Sequence, residues 1–212
     1  MDTPHHRAAG TAPGAAPESR QSPPSPDESP GLRGFERTVR VRVATPDRMR
    51  ELGRRLARLL RPGDLVLLTG ELGAGKTTLT RGLGEGLDVR GAVTSPTFVI
   101  ARVHPPLGGG PALVHVDAYR LGGGLEEMED LDLDVSLPES VVVVEWGEGK
   151  VEELSEDRLH VVIERSVGAD PAGAAEAAGG SGDDVRTVTV TGVGGRWSEQ
   201  DLSVLAEPGE SV

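Results

Sequence analysis

The chain has 212 residues and a formal net charge of −12, with 30 glycines, 16 prolines, no cysteine and five aromatic residues. Its length fits one domain with flexible ends, and the lack of cysteine excludes disulfide scaffolds, cysteine-ligated metal centres and cysteine nucleophiles while fitting a reducing compartment. No apolar run approaches the about 20 residues of a membrane span and the N-terminus lacks the apolar core of a secretory signal, so a cytoplasmic protein without a membrane anchor is expected.

Residues 1–34, rich in Pro, Ser, Ala and Gly, carry too little branched apolar surface to offset ordering entropy and read as a disordered extension. From Phe35 the pattern changes: Val39, Val41 and Val43 alternate with Arg40 and Arg42 as in a half-buried strand. Thr45-Pro46 then supplies an N-cap and a first-turn proline, and Met49, Leu52, Leu56, Leu59 and Leu60 recur at helical spacing up to a stop at Pro62-Gly63. Leu65–Leu68 reads as a strand buried on both faces, running into a glycine-rich turn and a helix over about 75–87. Further strands are expected in 97–103, 112–116, 141–144, 159–163 and 185–190, separated by Gly and Pro punctuation. The segment 104–111 reads as a hairpin loop, 167–184 as a flexible insertion between the last two strands, 198–205 as a final short helix, and 207–212 as a tail. One mixed α/β domain over 35–206 is the expectation.

Charge is uneven along this order. Residues 167–212 carry a net −6, residues 37–61 hold nine arginines, and Glu126, Glu127, Glu129, Asp130, Asp132 and Asp134 form an acidic cluster; each run reads first as a solvated face. Two scarcities say more. Asparagine is absent, which excludes the Asn-Lys-x-Asp guanine reader of many GTPases and the catalytic-loop asparagine of protein kinases. Lysine occurs only at Lys76 and Lys150.

Lys76 falls inside Gly70-Glu71-Leu72-Gly73-Ala74-Gly75-Lys76-Thr77, which fits G-x-x-x-x-G-K-[ST] at every fixed position. The chain's own residue usage predicts on the order of 0.005 random matches, and this one lies between a buried strand and a helix. Glycines let successive N–H groups curl toward phosphate oxygens, and the helix adds its positive end. Lys76 reaches the β- and γ-phosphates in such a loop, and the Thr77 hydroxyl ligates Mg²⁺. By contrast Gly82-Leu83-Gly84-Glu85-Gly86 falls on the expected helix, which argues against dinucleotide binding there.

A phosphate loop of this kind needs an acid at a neighbouring strand end, and the sequence offers Asp117 after Leu113–Val116 and Glu145 after Val141–Val144. Spacing leaves open which of them serves the metal and which the attacking water. Thr94-Ser95-Pro96-Thr97-Phe98 sits where a switch loop senses a γ-phosphate. Phe98, Tyr119 and Trp146 all lie beside these polar candidates, and Trp146 is the aromatic best placed to support the acid before it or to form a docking surface.

Together, Gly70–Thr77 with Thr78, Ser95-Pro96-Thr97-Phe98, Asp117-Ala118-Tyr119-Arg120-Leu121 and Val144-Glu145-Trp146 closely resemble the TsaE (YjeE) family over about residues 37–165. The resemblance implies an α/β P-loop NTPase with a central, mostly parallel sheet flanked by helices and an antiparallel hairpin addition. It implies binding of ATP and Mg²⁺, slow hydrolysis by the isolated protein, and support of the TsaD and TsaB pair that modifies adenosine 37 of tRNA with a threonylcarbamoyl group. Carried onto this chain, Lys76 binds phosphate, Thr77 and Glu145 hold Mg²⁺, Asp117 is required for hydrolysis, Thr97 sits in the switch segment and Trp146 supports the site. Scarce aromatics argue against base stacking by this chain, so tRNA contact is expected to be shared with partners and carried by Arg37–Arg61. Two rivals remain: a small-molecule kinase, for which no arginine-rich lid follows Asp117, and a nucleotide-gated binding module in which hydrolysis is incidental.

Overall fold

Seven strands form one sheet in the order β1-β7-β6-β2-β5-β4-β3. They are β1 (Glu36–Val43), β2 (Leu65–Gly70), β3 (Ala101–His104), β4 (Ala112–Asp117), β5 (Ser140–Glu145), β6 (Arg158–Arg165) and β7 (Arg186–Val193). The computed structural model describes residues 36–96, 100–120, 133–149, 151–165 and 185–206. The N-terminal extension, Thr97 and Phe98, the 126–132 part of the acidic cluster, the insertion at 167–184 and the C-terminal tail lie outside them. The four central strands β6, β2, β5 and β4 are parallel; β3 joins β4 antiparallel, and β7 joins both β6 and β1 antiparallel. The chain is therefore an α/β protein whose parallel centre carries antiparallel additions at both edges. Among the described residues no helix is long and apolar enough to cross a membrane.

Helix α1 (Pro46–Ala57) starts as its sequence dictates: Thr45 is extended, and its side chain accepts from the Arg48 N–H. It stops short of the Pro62 expected from periodicity. Arg58, Leu59 and Leu60 donate to carbonyls three residues back, on Arg55, Leu56 and Ala57, so the last apolar pair belongs to a tightened turn rather than to the helix. Helix α2 (Lys76–Gly86) follows the phosphate loop. The final helix expected over 198–205 is instead two turns, Gly195–Ser198 and Leu202–Leu205, the second capped by Asp201 accepting from the Ser203 N–H. Strand β7 runs three residues beyond its expected end.

Both sheet faces are covered around the parallel centre. On one side α1 and α2 pack Leu56, Leu79 and Leu83 onto Leu68, Val143 and Val161, with Trp197 and Leu205 closing the end over Val190. On the other, Leu133 and Val151 cover Leu65, Leu67, Val114, Val116, Val142 and Val144. Burial on both sides explains why β2 and β5 read as unbroken apolar runs rather than alternating ones.

The glycines at 82–86 are on α2, as expected, and the structure gives them a packing reason. A Cβ at Gly82 would collide with the Arg50 carbonyl of α1, and one at Gly53 would collide with the Leu79 carbonyl of α2. Alanine at Gly82 would gain about 1 kcal/mol of helix propensity but must push two backbones apart, which puts the cost at the upper end of the about 1–3 kcal/mol range of overpacking. Gly82→Ala is expected to lose about 2 kcal/mol net, read as a lower denaturant midpoint with an unchanged slope.

His104 ends β3, buried, with no hydrogen-bond partner for Nε2 among the described residues. Burial pushes its pKa below the ordinary histidine value, helped by His115 and Arg102 and opposed by a hydrogen bond to the Arg90 backbone. A base with a depressed folded-state pKa contributes stability above its unfolded pKa, about 6.5, and loses it as pH falls through the folded value. His104→Gln is therefore expected to shrink the drop in melting temperature between pH 7 and pH 5 relative to the parent chain.

Candidate functional site

The parallel strands β2, β5 and β4 end together, and the described polar candidates sit at that carboxyl edge, where a doubly covered sheet opens into a crevice. Glu145 is in register with Leu68 on one side and with Asp117 on the other. The two acids read from strand ends are thus neighbours, flanking the loop that leaves β2.

That loop turns through Gly73 (φ 76°) and Gly75 (φ 116°), left-handed positions that side chains resist. The Ala74 N–H donates to the Glu71 carbonyl, tightening the curl. Lys76 folds back over it, donating from Nζ to the carbonyls of Gly70 at 2.7 Å and Glu71 at 2.9 Å. Its ammonium also lies 3.7 Å from the centroid of the Trp146 ring, a cation–π contact. Trp146 reaches it because the chain turns left-handed directly after β5 (φ 64°), a strained conformation for a bulky residue. Its N–H donates to the Leu68 carbonyl, and Tyr119 tilts against it with centroids 5.2 Å apart. Burial pushes the Lys76 pKa below the usual lysine range, against the upward pull of Glu145 and Asp117.

Thr77, one residue into α2, donates its hydroxyl to Glu145 at 3.0 Å from Oε1 and 3.3 Å from Oε2. Asp117 accepts from the Ser95 hydroxyl and the Tyr119 N–H, each at 3.2 Å. Lys76, Asp117 and Glu145 are all buried, yet all three line a cavity of about 470 Å³ together with Leu72, Gly73, Gly75, Thr77, Thr78, Ser95, Tyr119 and Trp146. The loop residues Gly70, Glu71, Leu72, Gly73, Ala74 and Gly75, with Lys76, Thr77, Thr78, Asp117, Glu145 and Trp146, are therefore brought to one place. Thr97 lies outside the described residues.

Residues 43–170 match the family model described as Threonylcarbamoyl adenosine biosynthesis protein TsaE. The chain belongs to the TsaE family. It is 74% identical over 158 residues to the TsaE protein of Streptomyces coelicolor, a match covering 74% of this chain and 99% of that one. To the TsaE protein of Bacillus subtilis it is 36% identical over 75% of this chain and 89% of the relative. The crystal structure of Bacillus subtilis YdiB superposes with a TM-score of 0.55 at 32% identity, covering 75% of this chain and 88% of that one. Such a TsaE-family fold is the P-loop α/β architecture expected from the motifs.

Two features of the site escape the sequence. His115 lies fully buried beneath the acids, its Nε2 2.8 Å from Glu145 Oε1; the available signal was its position two residues before Asp117, on the same face of β4. A second recess of about 140 Å³ abuts the loop, lined by Thr45, Pro46, Met49, Gly73, Ala74, Gly75, Thr78 and Arg186. Gly73, Gly75 and Thr78 face both spaces.

Among the arginines in 37–61, Arg50 and Arg54 pair with Glu85, and Arg54 and Arg55 with Glu51, within the two-helix layer. These exposed pairs contribute little individually.

Proposed function

We propose that the chain is an ATPase that serves tRNA threonylcarbamoyladenosine formation, working on the TsaD and TsaB pair that modifies adenosine 37. The observation that carries this reading is the Thr77 hydroxyl on Glu145, 3.0 Å apart, directly beside a phosphate loop whose lysine faces the same cavity.

A hydroxyl and a carboxylate are hard oxygen donors of the kind Mg²⁺ takes, and Mg²⁺ characteristically completes its shell from substrate phosphates and water rather than from an all-protein cage. Among the described residues no group of three or more His, Asp or Glu side chains forms such a cage, which fits a metal arriving with the nucleotide. Thr77 and Glu145 would hold it, and bound Mg²⁺ supplies neutralisation of phosphate charge.

The residues of the chain divide the remaining work. On nucleotide arrival Lys76 exchanges the Gly70 and Glu71 carbonyls for phosphate oxygens, a favourable trade for an ammonium already stripped of water. The N–H groups of Gly73–Thr77 and the N-terminus of α2 cradle the phosphates. With Glu145 engaged by Thr77, Asp117 is the acid that orients the attacking water across the cavity. The nucleoside end would enter the second recess past Thr78, where Pro46 and Met49 offer apolar contact.

Reconstitution with TsaB and TsaD tests the whole reading. Multiple-turnover tRNA modification is expected to require this chain and ATP, and phosphate is expected to be released without any added acceptor. Phosphate transfer to a metabolite would favour the kinase, and repeated modification by a variant that binds ATP without hydrolysing it would favour a nucleotide-gated binding module.

A further inference from the structure

We propose that His115 is a positioning residue for Glu145, holding its carboxylate in the orientation that presents it to Thr77 and to the metal; the inference rests on the Mg²⁺-dependent ATPase reading above. His115 sits on β4 opposite Val143 of β5, fully buried. Leu113, His115 and Asp117 share the face of β4 that looks toward α2, because side chains alternate along a strand. Its Nε2 is 2.8 Å from Glu145 Oε1, and a carboxylate only accepts, so the proton of this bond is on Nε2.

Two observations separate this from a histidine that merely fills space. Its other nitrogen, Nδ1, is buried with no hydrogen-bond partner among the described residues, so the bond to Glu145 is the hydrogen bond the imidazole makes there. A leucine would fill the same volume without burying an unpaired polar atom. Glu145 Oε1 also receives two donors from two different elements, Thr77 on α2 at 3.0 Å and His115 on β4. The terminal torsion of a glutamate is broad, and the single Thr77 hydroxyl, 3.0 Å from Oε1 and 3.3 Å from Oε2, is shared between the two oxygens without singling one out; the second donor, on Oε1 alone, fixes the orientation. Partners of this kind around a ligating group change metal affinity about 10–100-fold.

The test uses the full chain and a non-hydrolysable ATP analogue, titrated with and without Mg²⁺. His115→Phe is expected to reduce the Mg²⁺ enhancement of nucleotide binding about tenfold or more while Mg²⁺-free binding is retained. His115→Gln, which returns an amide N–H toward Oε1, is expected to restore most of the enhancement. An undiminished enhancement in His115→Phe, or a loss that His115→Gln does not rescue, overturns the positioning role. Independently of any variant's folding, nitrogen-15 spectra of the five imidazoles are expected to show His115 protonated at Nε2; a proton only on Nδ1 overturns the proposal. If the parent chain itself shows no Mg²⁺ enhancement, the metal reading falls and the positioning proposal with it. A parent chain with normal enhancement beside an indifferent His115→Phe removes only the positioning role.

Discussion

Lys76→Ala is expected to weaken ATP binding about 100-fold and to leave no measurable turnover, with the fold intact. A charge-assisted bond to phosphate contributes about 1.5–3 kcal/mol, and each 1.4 kcal/mol is a factor of ten. The local cost to stability is small because two opposing terms meet at this side chain. Removal forfeits the bonds to the Gly70 and Glu71 carbonyls and the contact with Trp146, but it also removes an ammonium whose burial depresses its pKa. Lys76→Arg is expected to fare little better, since a planar guanidinium does not fit a site shaped around a point charge. Isothermal titration with ATP beside a thermal melt checks both outcomes; wild-type affinity in Lys76→Ala would remove the phosphate site.

Lys76 was also the most legible residue of the site. A fixed-spacing motif between a buried run and a helix specifies a local backbone, so its geometry follows from its own eight residues. The two strand-end acids were legible as acids, but their adjacency was not: Asp117 and Glu145 become neighbours only because β4 and β5 pair in parallel. The same holds for the sheet order. Nothing in the alternation of Val39, Val41 and Val43 says that β1 joins the sheet through β7, and nothing in β6 says that it lies between β7 and β2. Helix boundaries failed where hydrogen bonding changed type under an unbroken apolar period, as at Leu59 and Leu60. In the sequence His115 is one more residue of the Leu113–Val116 run, since a buried polar side chain declares its role only through the partner across the sheet.

The second large effect separates the two acids, which spacing alone left undivided. Glu145→Gln keeps the shape of the side chain and its place beside Thr77 and His115 but removes the charge. It is expected to abolish the Mg²⁺ dependence of nucleotide binding, as Thr77→Ala weakens it, and to reduce turnover in the assembled system by at least about 100-fold. Asp117→Asn is expected to behave differently. The Tyr119 N–H donates to Oδ1 and the Ser95 hydroxyl to Oδ2; an amide keeps the first as an acceptor and can donate its NH₂ to the Ser95 oxygen in place of the second, so Mg²⁺-dependent binding should survive, while losing the acid proposed to orient the water should cost about 10²–10⁴ in rate. Nucleotide binding measured across Mg²⁺ concentrations, together with single-turnover hydrolysis, separates the two. The opposite pattern, with Asp117→Asn insensitive to Mg²⁺ and Glu145→Gln still responsive, would exchange their roles. That pattern would also leave the hydroxyl of Thr77 bonded to the wrong acid for a metal partner, and the 3.0 Å contact between Thr77 and Glu145 is the observation that favours the proposed division.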